Sequence, residues 1–371
     1  MGAEALWFWL VDELIEQRKA DHLRLSAGGD VDALGGAGWD DIRLVHEALP
    51  EVDRCDIALA TEFLGTPLQA PLFIAGMTGG HRTAHYVNAV LARAAQRHGL
   101  AMGVGSQRAA LRKGELAYTY TVVREQAPTA FIVANIGAPQ LIAQGPANPP
   151  LSPDEVAHAV QMVNANALAV HLNFLQESVQ PEGERKARGC AEAIARVVRE
   201  VQVPVIAKET GAGLSRETAV RLKALGVKAL DVGGVGGTSF AAIEGLRAEA
   251  QGEARYERLG VLLRDWGVPT PVSVIGAIES GLPLVATGGI RTGVDAAKAL
   301  ALGATLVGVA RPLLQAALEG DAAVDVWIEQ FLEELRTVLF LTGSGDIAEL
   351  RNKPRVVTGT TREWLQQLQY C

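Results

Sequence analysis

Ala169-Val170-His171-Leu172-Asn173-Phe174-Leu175-Gln176-Glu177 is an apolar run that stops abruptly and delivers a crowd of polar groups at one point. Read as the end of a buried strand, it places His171 and Asn173 on one face, because side chains two residues apart on a strand point the same way. Comparable aliphatic runs occur at Leu72 to Met77, Ala101 to Gly105, Phe131 to Ile136, Pro204 to Lys208, Ala229 to Val232, Leu282 to Thr287 and Thr305 to Ala310. With Ala167 to Leu172 they make eight strand candidates, most with little polar alternation, as strands covered on both faces should have. The intervals carry helical patterns such as His85 to His98 and Glu217 to Leu225. Helix starts are signalled by Ser152-Pro153-Asp154-Glu155 and Ser215-Arg216-Glu217, and helix ends by Gly99, Gly226 and Gly303. Eight successive βα units without a domain linker predict an α/β protein, a single closed (β/α)8 TIM barrel spanning 1–371, rather than an open doubly wound sheet. On this reading 1–60 form an N-terminal extension and the helix from Val324 to Leu341 is an addition around the barrel. The interval that includes Ala248 to Pro271 carries an extra helix or a mobile loop.

Composition agrees with a soluble globular protein: 371 residues, 49% apolar, 20% charged, enough to bury a sizeable core. Forty glycines against 5% aromatics suit many tight strand-to-helix junctions. The net charge of -8 argues against nucleic acid as a partner but leaves room for a small anion held by a few basic groups. Cys55, Cys190 and Cys371 form no CxxC pair, so neither a zinc site nor a disulfide framework is indicated, and a reducing cytoplasm is the expected location. The apolar patch from Leu6 to Val11 lies between Glu4 and Asp12-Glu13, lacks a basic leader and is too short for a membrane span. An amphipathic helix packed on the body is expected there.

Barrels of this kind build their sites from the loops that follow the strands, so the residues after each run are the candidates. They are Thr78-Gly79-Gly80, Ser106-Gln107-Arg108, Asn135 with Gly137, His171 with Asn173, Gln176 and Glu177, Lys208-Glu209-Thr210, Gly233 to Ser239, Gly288 to Thr292 and Ala310-Arg311. Gly288-Gly289-Ile290-Arg291-Thr292-Gly293 and Gly308-Val309-Ala310-Arg311 offer close-approaching amides and two guanidinium groups after the last two strands, where barrels commonly hold a phosphate. Lys208 ends an apolar strand and should point into the mouth, where three readings fit: a Schiff-base nucleophile, a positive charge beside an electron-rich ring, or an ion pair with Glu209. Glu177 reads either as a solvated loop carboxylate or as a Mg2+ ligand whose other oxygens come from substrate phosphates. Arg18-Lys19-Ala20-Asp21-His22, taken alone, is an ordinary surface basic cluster. No dinucleotide GxGxxG after a strand, P-loop or GxSxG is present, which leaves a Rossmann domain, an NTPase and a serine hydrolase without support.

At these residues the chain resembles the flavin-dependent type 2 isopentenyl-diphosphate isomerases. The matching words are Arg18-Lys19 with His22, Met77-Thr78-Gly79-Gly80, Gly105-Ser106-Gln107-Arg108, Ala134-Asn135-Ile136-Gly137, His171-Leu172-Asn173 with Gln176-Glu177, Lys208-Glu209, Gly236-Gly237-Thr238-Ser239, Gly288-Gly289 and Ala310-Arg311. The Arg-Lys with HLNxxQE is specific to that family, whereas the glycine-rich elements are shared with other flavin barrels. The resemblance implies a (β/α)8 barrel binding FMN and Mg2+, with NADPH as reductant, interconverting isopentenyl and dimethylallyl diphosphate in isoprenoid biosynthesis. It also implies a homo-oligomer, a tetramer or octamer. By position, Met77, Thr78, Gly79, Ser106, Asn135, Lys208, Thr238, Gly289, Arg291, Ala310 and Arg311 would hold FMN. Arg18, Lys19, Arg108, His171, Asn173 and Gln176 would meet the substrate, with Gln176 and His171 at the reacting centre and Glu177 on the metal. One departure is Gly233, where many members carry serine; a side-chain hydrogen bond to the flavin is missing on that account.

Moving a double bond needs a proton added at one carbon and another removed, yet no pair of carboxylates stands at the strand ends to do both. The resemblance supplies the answer: reduced FMN acts as acid and base with no net redox change, Gln176 orients or relays a proton, and Lys208 stabilises the anionic reduced flavin. Two other readings compete, an FMN-dependent 2-hydroxy acid oxidase and a non-catalytic barrel that binds a phosphorylated ligand. The first leaves Arg18-Lys19 and Glu177 without a purpose, since its substrate brings no diphosphate.

Overall fold

The computed structural model describes residues 18–146 and 148–370. The apolar stretch expected to form a helix before Arg18 lies outside the described residues, as does Cys371. Strands β1 (Leu72–Ile74), β2 (Ala101–Gly103), β3 (Phe131–Gly137), β4 (Ala167–Leu172), β5 (Val205–Glu209), β6 (Ala229–Asp231), β7 (Leu284–Thr287) and β8 (Leu306–Val309) pair in chain order into a closed parallel barrel. β8 closes the ring against β1, with Val307 opposite Leu72. All eight expected runs are strands, although β1 and β2 stop short of Met77 and Gly105. The backbones converge just there: a Cβ on Gly76 would stand 2.3 Å from the Val104 carbonyl oxygen, so the site loops start early.

The strands show little alternation because both faces are dry. Phe73, Ala101, Phe131, Val133, Ala167, Ala169 and Ile206 fill the barrel, while Leu72, Ile74, Ile132, Leu168, Val170 and Val205 face the helices. A hairpin of Thr61–Phe63 and Thr66–Leu68 adds Phe63 and Leu68 to the inner cluster, and Phe63 meets the Phe131 ring edge-on at 5.6 Å. The N-terminal end of the barrel is thus plugged with hydrocarbon, and the C-terminal end is left for chemistry.

Local signals hold up. Ser152 and Glu155 close a reciprocal capping box on Pro153–Met162, and Ser215 caps Arg216–Ala224 through the Thr218 amide. Gly99 turns the chain after Arg82–His98 at φ 60°, a left-handed conformation suited to glycine. The interval after β6 holds two extra helices, Phe240–Ala250 and Ala254–Leu262, packed so closely that a Cβ on Gly260 would lie 2.4 Å from the Gly245 Cα.

The expected C-terminal addition is Asp321–Leu341, and it is part of the ring: it packs between Gly293–Ala301 and Arg82–His98. Its buried stripe of Val324, Ile328, Phe331, Leu335 and Leu339 recurs every three or four residues, so the helix has a single face to bury and the barrel wall supplies the surface. Arg93 clamps its first residue, Asp321, with two bonds of 2.7 Å. Beyond it, Arg355–Val357 pairs antiparallel with Ile42–Leu44, tying the N-terminal extension to the C-terminal region. Among the described residues no helix is long and apolar enough to cross a membrane.

Candidate active site

Along β3 to β7 the inward positions run apolar until the last, which is polar, whereas the inward rows of β1, β2 and β8 end in Ala75, Gly103 and Gly308. Val133 is followed two residues later by Asn135, Ala169 by His171, Ile206 by Lys208, Ala229 by Asp231 and Val285 by Thr287. Register puts Lys208 beside His171 on one side and Asp231 on the other. One large cavity opens above this polar ring. Its walls include Arg18, Lys19, Met77, Thr78, Ser106, Arg108, Asn135, His171, Asn173, Gln176, Glu177, Lys208, Thr238, Gly289, Arg291, Ala310 and Arg311. Gly79, expected with them, is not in that lining. It passes so close to the Tyr120 ring that a Cβ would lie 2.0 Å from it, so its need for glycine is explained by Tyr120.

The corner after β6 to β8 is made of backbone. A Cβ on Gly237 would stand 2.9 Å from the Gly289 amide nitrogen, and one on Gly289 would stand 2.4 Å from Ala37 Cβ. These turns therefore pack without side chains between them, and Arg291 and Arg311 bring the positive charge. Both guanidinium groups contact the Asp32 carboxylate, at 2.8 and 2.9 Å.

The opposite wall is made of side chains. The described chain starts as a helix, 18–28, which lays Arg18, Lys19 and His22 over the cavity. Lys19 is partly buried, and desolvation, followed by the charges of Arg18 and Arg108, brings its pKa down to about 7. Asn173 Nδ2 donates to Gln176 Oε1 at 3.2 Å and to Glu177 Oε1 at 2.9 Å, while the Glu184 amide donates to Glu177 Oε2 at 2.7 Å. Burial pushes the Glu177 carboxyl upward against those contacts. Gln176 Nε2 donates to Glu244 Oε1 at 2.9 Å, so its amide is clamped at both ends.

Glu244 is fully buried and was not singled out from the sequence. Burial opposes its charge, but His22, Arg247 and Gln176 outweigh that and hold its pKa at about 2. His22 Nε2 lies 2.7 Å from Glu244 Oε1; burial pulls the ring's pKa below its ordinary value, so a neutral imidazole donating Nε2–H fits the contact. Arg247 pairs with the other oxygen and reaches Glu182 at 3.1 Å. Arg108 is paired with Glu184. The one sequence signal was a pair of charges, Glu244 and Arg247, in a helix otherwise rich in buried alanine and glycine.

His171 does not take protons near neutrality. Burial, then Lys208, Lys19 and Arg108, lower its pKa to about 3. Asn135 Nδ2 donates to the Val104 carbonyl at 3.0 Å, which turns Oδ1 toward the ring. His171 Nδ1 lies 2.8 Å from that oxygen and so carries the hydrogen, leaving Nε2 as an acceptor. Asn135's side chain thereby holds His171 and keeps one N–H and one lone pair for the cavity it lines.

Lys208 does not form the side-chain ion pair with Glu209 that was one of its readings. Its Nζ donates to the Glu209 carbonyl oxygen at 2.9 Å. The Glu209 carboxylate instead accepts the amides of Thr210, Gly211, Ala212 and Gly213 at 2.5 to 3.1 Å, folding the β5 loop around itself. This loop also accounts for Gly233. At φ 46° a Cβ there would lie 2.2 Å from the Glu209 carbonyl oxygen, so serine would force the loop to move.

Among the described residues no cluster of three or more His, Cys, Asp or Glu could hold a metal by itself, so any cation at Glu177 needs oxygens from elsewhere. The arrangement can hold one anion at the glycine corner and a second under Arg18, Lys19 and Arg108, with an apolar strip of Ala75, Gly76 and Met77 in the same cavity.

Comparison with known proteins agrees. Residues 33–137 and 149–357 match the model of the FMN-dependent dehydrogenase family. The isopentenyl-diphosphate delta-isomerase of Methanoregula boonei is 50% identical over 94% of this chain and 95% of its own. Those of Halobacterium salinarum and Methanothermobacter thermautotrophicus are 48% and 45% identical over 95% of this chain, covering 96% and 97% of theirs. Among solved structures, a lactate oxidase of Pediococcus acidilactici aligns with a TM-score of 0.67 at 17% identity, covering 94% of each chain. A mandelate oxidase aligns at 0.62 and 17%, covering 95% of this chain and 99% of its own. At that identity the oxidases share the fold alone, whereas the sequence matches run nearly end to end, and this chain belongs to the isopentenyl-diphosphate delta-isomerases within the FMN-dependent dehydrogenase family.

Proposed function

We propose that the cavity binds FMN at the glycine corner and isopentenyl or dimethylallyl diphosphate, with Mg2+, at the side-chain wall, and interconverts the two substrates. The observation that carries the reading is the presence of two separate basic clusters in one cavity, Arg291 with Arg311 and Arg18 with Lys19 and Arg108. A hydroxy acid oxidase also needs a cation for its substrate's single carboxylate, but three basic groups gathered beside Glu177 suit a diphosphate with its metal better.

The residues present fit FMN. Turns too tight for a Cβ leave amides for a phosphate, Arg291 and Arg311 neutralise it, and Ala75 to Met77 offer an apolar surface to a flat ring. Thr78, Ser106, Thr238 and Ala310 complete that side, and Lys208 stands within reach of a ring that carries negative charge. When bound and reduced, FMN supplies the acid and base that no carboxylate pair here provides. The chain's own residues bind, orient and exclude water. Arg18, Lys19 and Arg108 meet the diphosphate, and Glu177 lends one ligand to Mg2+ while the diphosphate lends the others. Neutral His171 presents Nε2 as an acceptor. The clamped Gln176 keeps one N–H and one Oε1 lone pair for the reacting carbons, so it can steer a proton without becoming charged.

The same proposal includes NADPH as the reductant that primes the flavin, a cytoplasmic location, a tetramer or octamer, and a single domain spanning 1–371 whose first 60 residues are an extension. The deciding experiment is an anaerobic assay of isopentenyl diphosphate with dithionite-reduced FMN and Mg2+, read by deuterium uptake from solvent. Full activity with oxidised flavin under air, or consumption of one NADPH per product, would refute it.

A further inference from the structure

The segment 29–38 crosses the phosphate corner as a strap. Its backbone is pinned to the β6 loop: the Ser239 amide donates to the Val31 carbonyl at 2.7 Å, the Ala33 amide donates to the Gly237 carbonyl at 2.9 Å, and Asp32 bridges Thr238. From the other side Arg264 Nε donates to the Asp32 carbonyl at 2.8 Å and Asp265 accepts the Leu34 amide at 2.6 Å. None of these bonds uses the Asp32 side chain, which is 31% exposed and turns into the corner. There its two oxygens meet Arg291 at 2.8 Å and Arg311 at 2.9 Å, the two guanidinium groups assigned above to the cofactor phosphate. The other acidic residues lining the cavity, Glu177 and Glu209, stand at the β4 and β5 side.

We propose that Asp32 is a specificity-determining residue of this corner: its carboxylate competes with the cofactor's phosphate for Arg291 and Arg311, and so sets how much the phosphate adds to flavin binding. The inference rests on the FMN reading. Two physical effects oppose each other here. An ion pair can hold the arginines in place for the phosphate, or it can cancel their charge. Arg311 has a tie of its own, since its second nitrogen donates to the Gly29 carbonyl at 2.7 Å, so it stays oriented without Asp32. Charge cancellation therefore decides the sign: two guanidinium groups against one carboxylate leave a net single positive charge, where a phosphate could meet two. Partial exposure screens the effect, which holds it to about tenfold in affinity, or ~1.4 kcal/mol.

The test is titration of the apoprotein with FMN and with riboflavin, followed by quenching of flavin fluorescence, for the wild type, Asp32→Asn and Asp32→Glu. Asp32→Asn should bind FMN about tenfold tighter with riboflavin unchanged, and Asp32→Glu should keep the wild-type ratio of the two affinities. FMN binding unchanged or weakened in Asp32→Asn would overturn the proposal, as would parallel shifts for both flavins, which would report a displaced strap. So would Asp32→Glu behaving as Asp32→Asn does. A wild-type chain that binds neither flavin would overturn the FMN reading itself.

Discussion

At the ends of β6 to β8 the barrel mouth is built from main chain, in turns too crowded for a Cβ. Across the cavity, at β4 and the Phe240–Ala250 helix, it is built from side chains that come from 18–22, 173–184 and 244–247 and hold one another through buried charge. The first construction is partly open, with Arg291 44% exposed; the second is dry, with the Glu244 side chain at 0%. A backbone corner should yield to mutation gradually, one contact at a time. A buried network should fail as a unit, because each lost partner strands another charge.

The sharpest way to break this contrast is Glu244→Ala. Arg247 would keep only partly exposed partners, and removing one member of a buried pair costs about 3 kcal/mol or more. A clear drop in Tm together with a loss of isomerisation on the order of a hundredfold is expected; near-normal melting and turnover would show that the wall is no network. Gln176→Ala comes next, removing only the clamped amide. Isomerisation should fall roughly a hundredfold while the FMN Kd stays put, and unchanged turnover would sink the role given to Gln176.

Arg291→Ala probes the other region. Losing one of two charge-assisted contacts should weaken FMN by roughly 10- to 100-fold and leave riboflavin alone, so equal losses for both flavins would deny the corner its phosphate. The mildest effect concerns Lys19, with its pKa near 7 in the free cavity. Its ammonium must be present to meet a diphosphate, so binding above pH 7 requires proton uptake and affinity should decline by up to about tenfold per pH unit. Calorimetry of inorganic pyrophosphate binding at pH 8, in buffers of differing ionisation enthalpy, should read up to one proton taken up. No uptake would place Lys19 outside the anion site.

The same contrast explains how much could be read in advance. The eight strands, the barrel and the glycine-rich words after β6 to β8 follow from periods and short words along the chain, because strand burial is a local property, whereas the crowding of Gly237, Gly289 and Ala37 is made by the fold. Gly79 has a structural reason to be glycine that the sequence does not show, since a glycine needed beside Tyr120 looks the same in sequence as one needed beside a ligand. Of the three readings open for Lys208, the ion pair with Glu209 is the one the fold removes, because four backbone amides claim the carboxylate. The helix Asp321–Leu341 reads as an appendage until the ring is closed, and only then is it a member of the wall.

What the sequence determined by itself is the order of strands, the two-residue periodicity that puts His171 and Asn173 on one face at the end of a buried run, and the family words that name a flavin and a diphosphate. What only the tertiary structure decided is which charges meet: Glu244 with His22, Gln176 and Arg247, and Asp32 with Arg291 and Arg311 across more than 250 residues. The physical reason is range. Backbone geometry and burial pattern are set by neighbours in the chain, but the energy of a charge depends on what the fold brings within a few ångströms of it, and no spacing along the sequence encodes that distance.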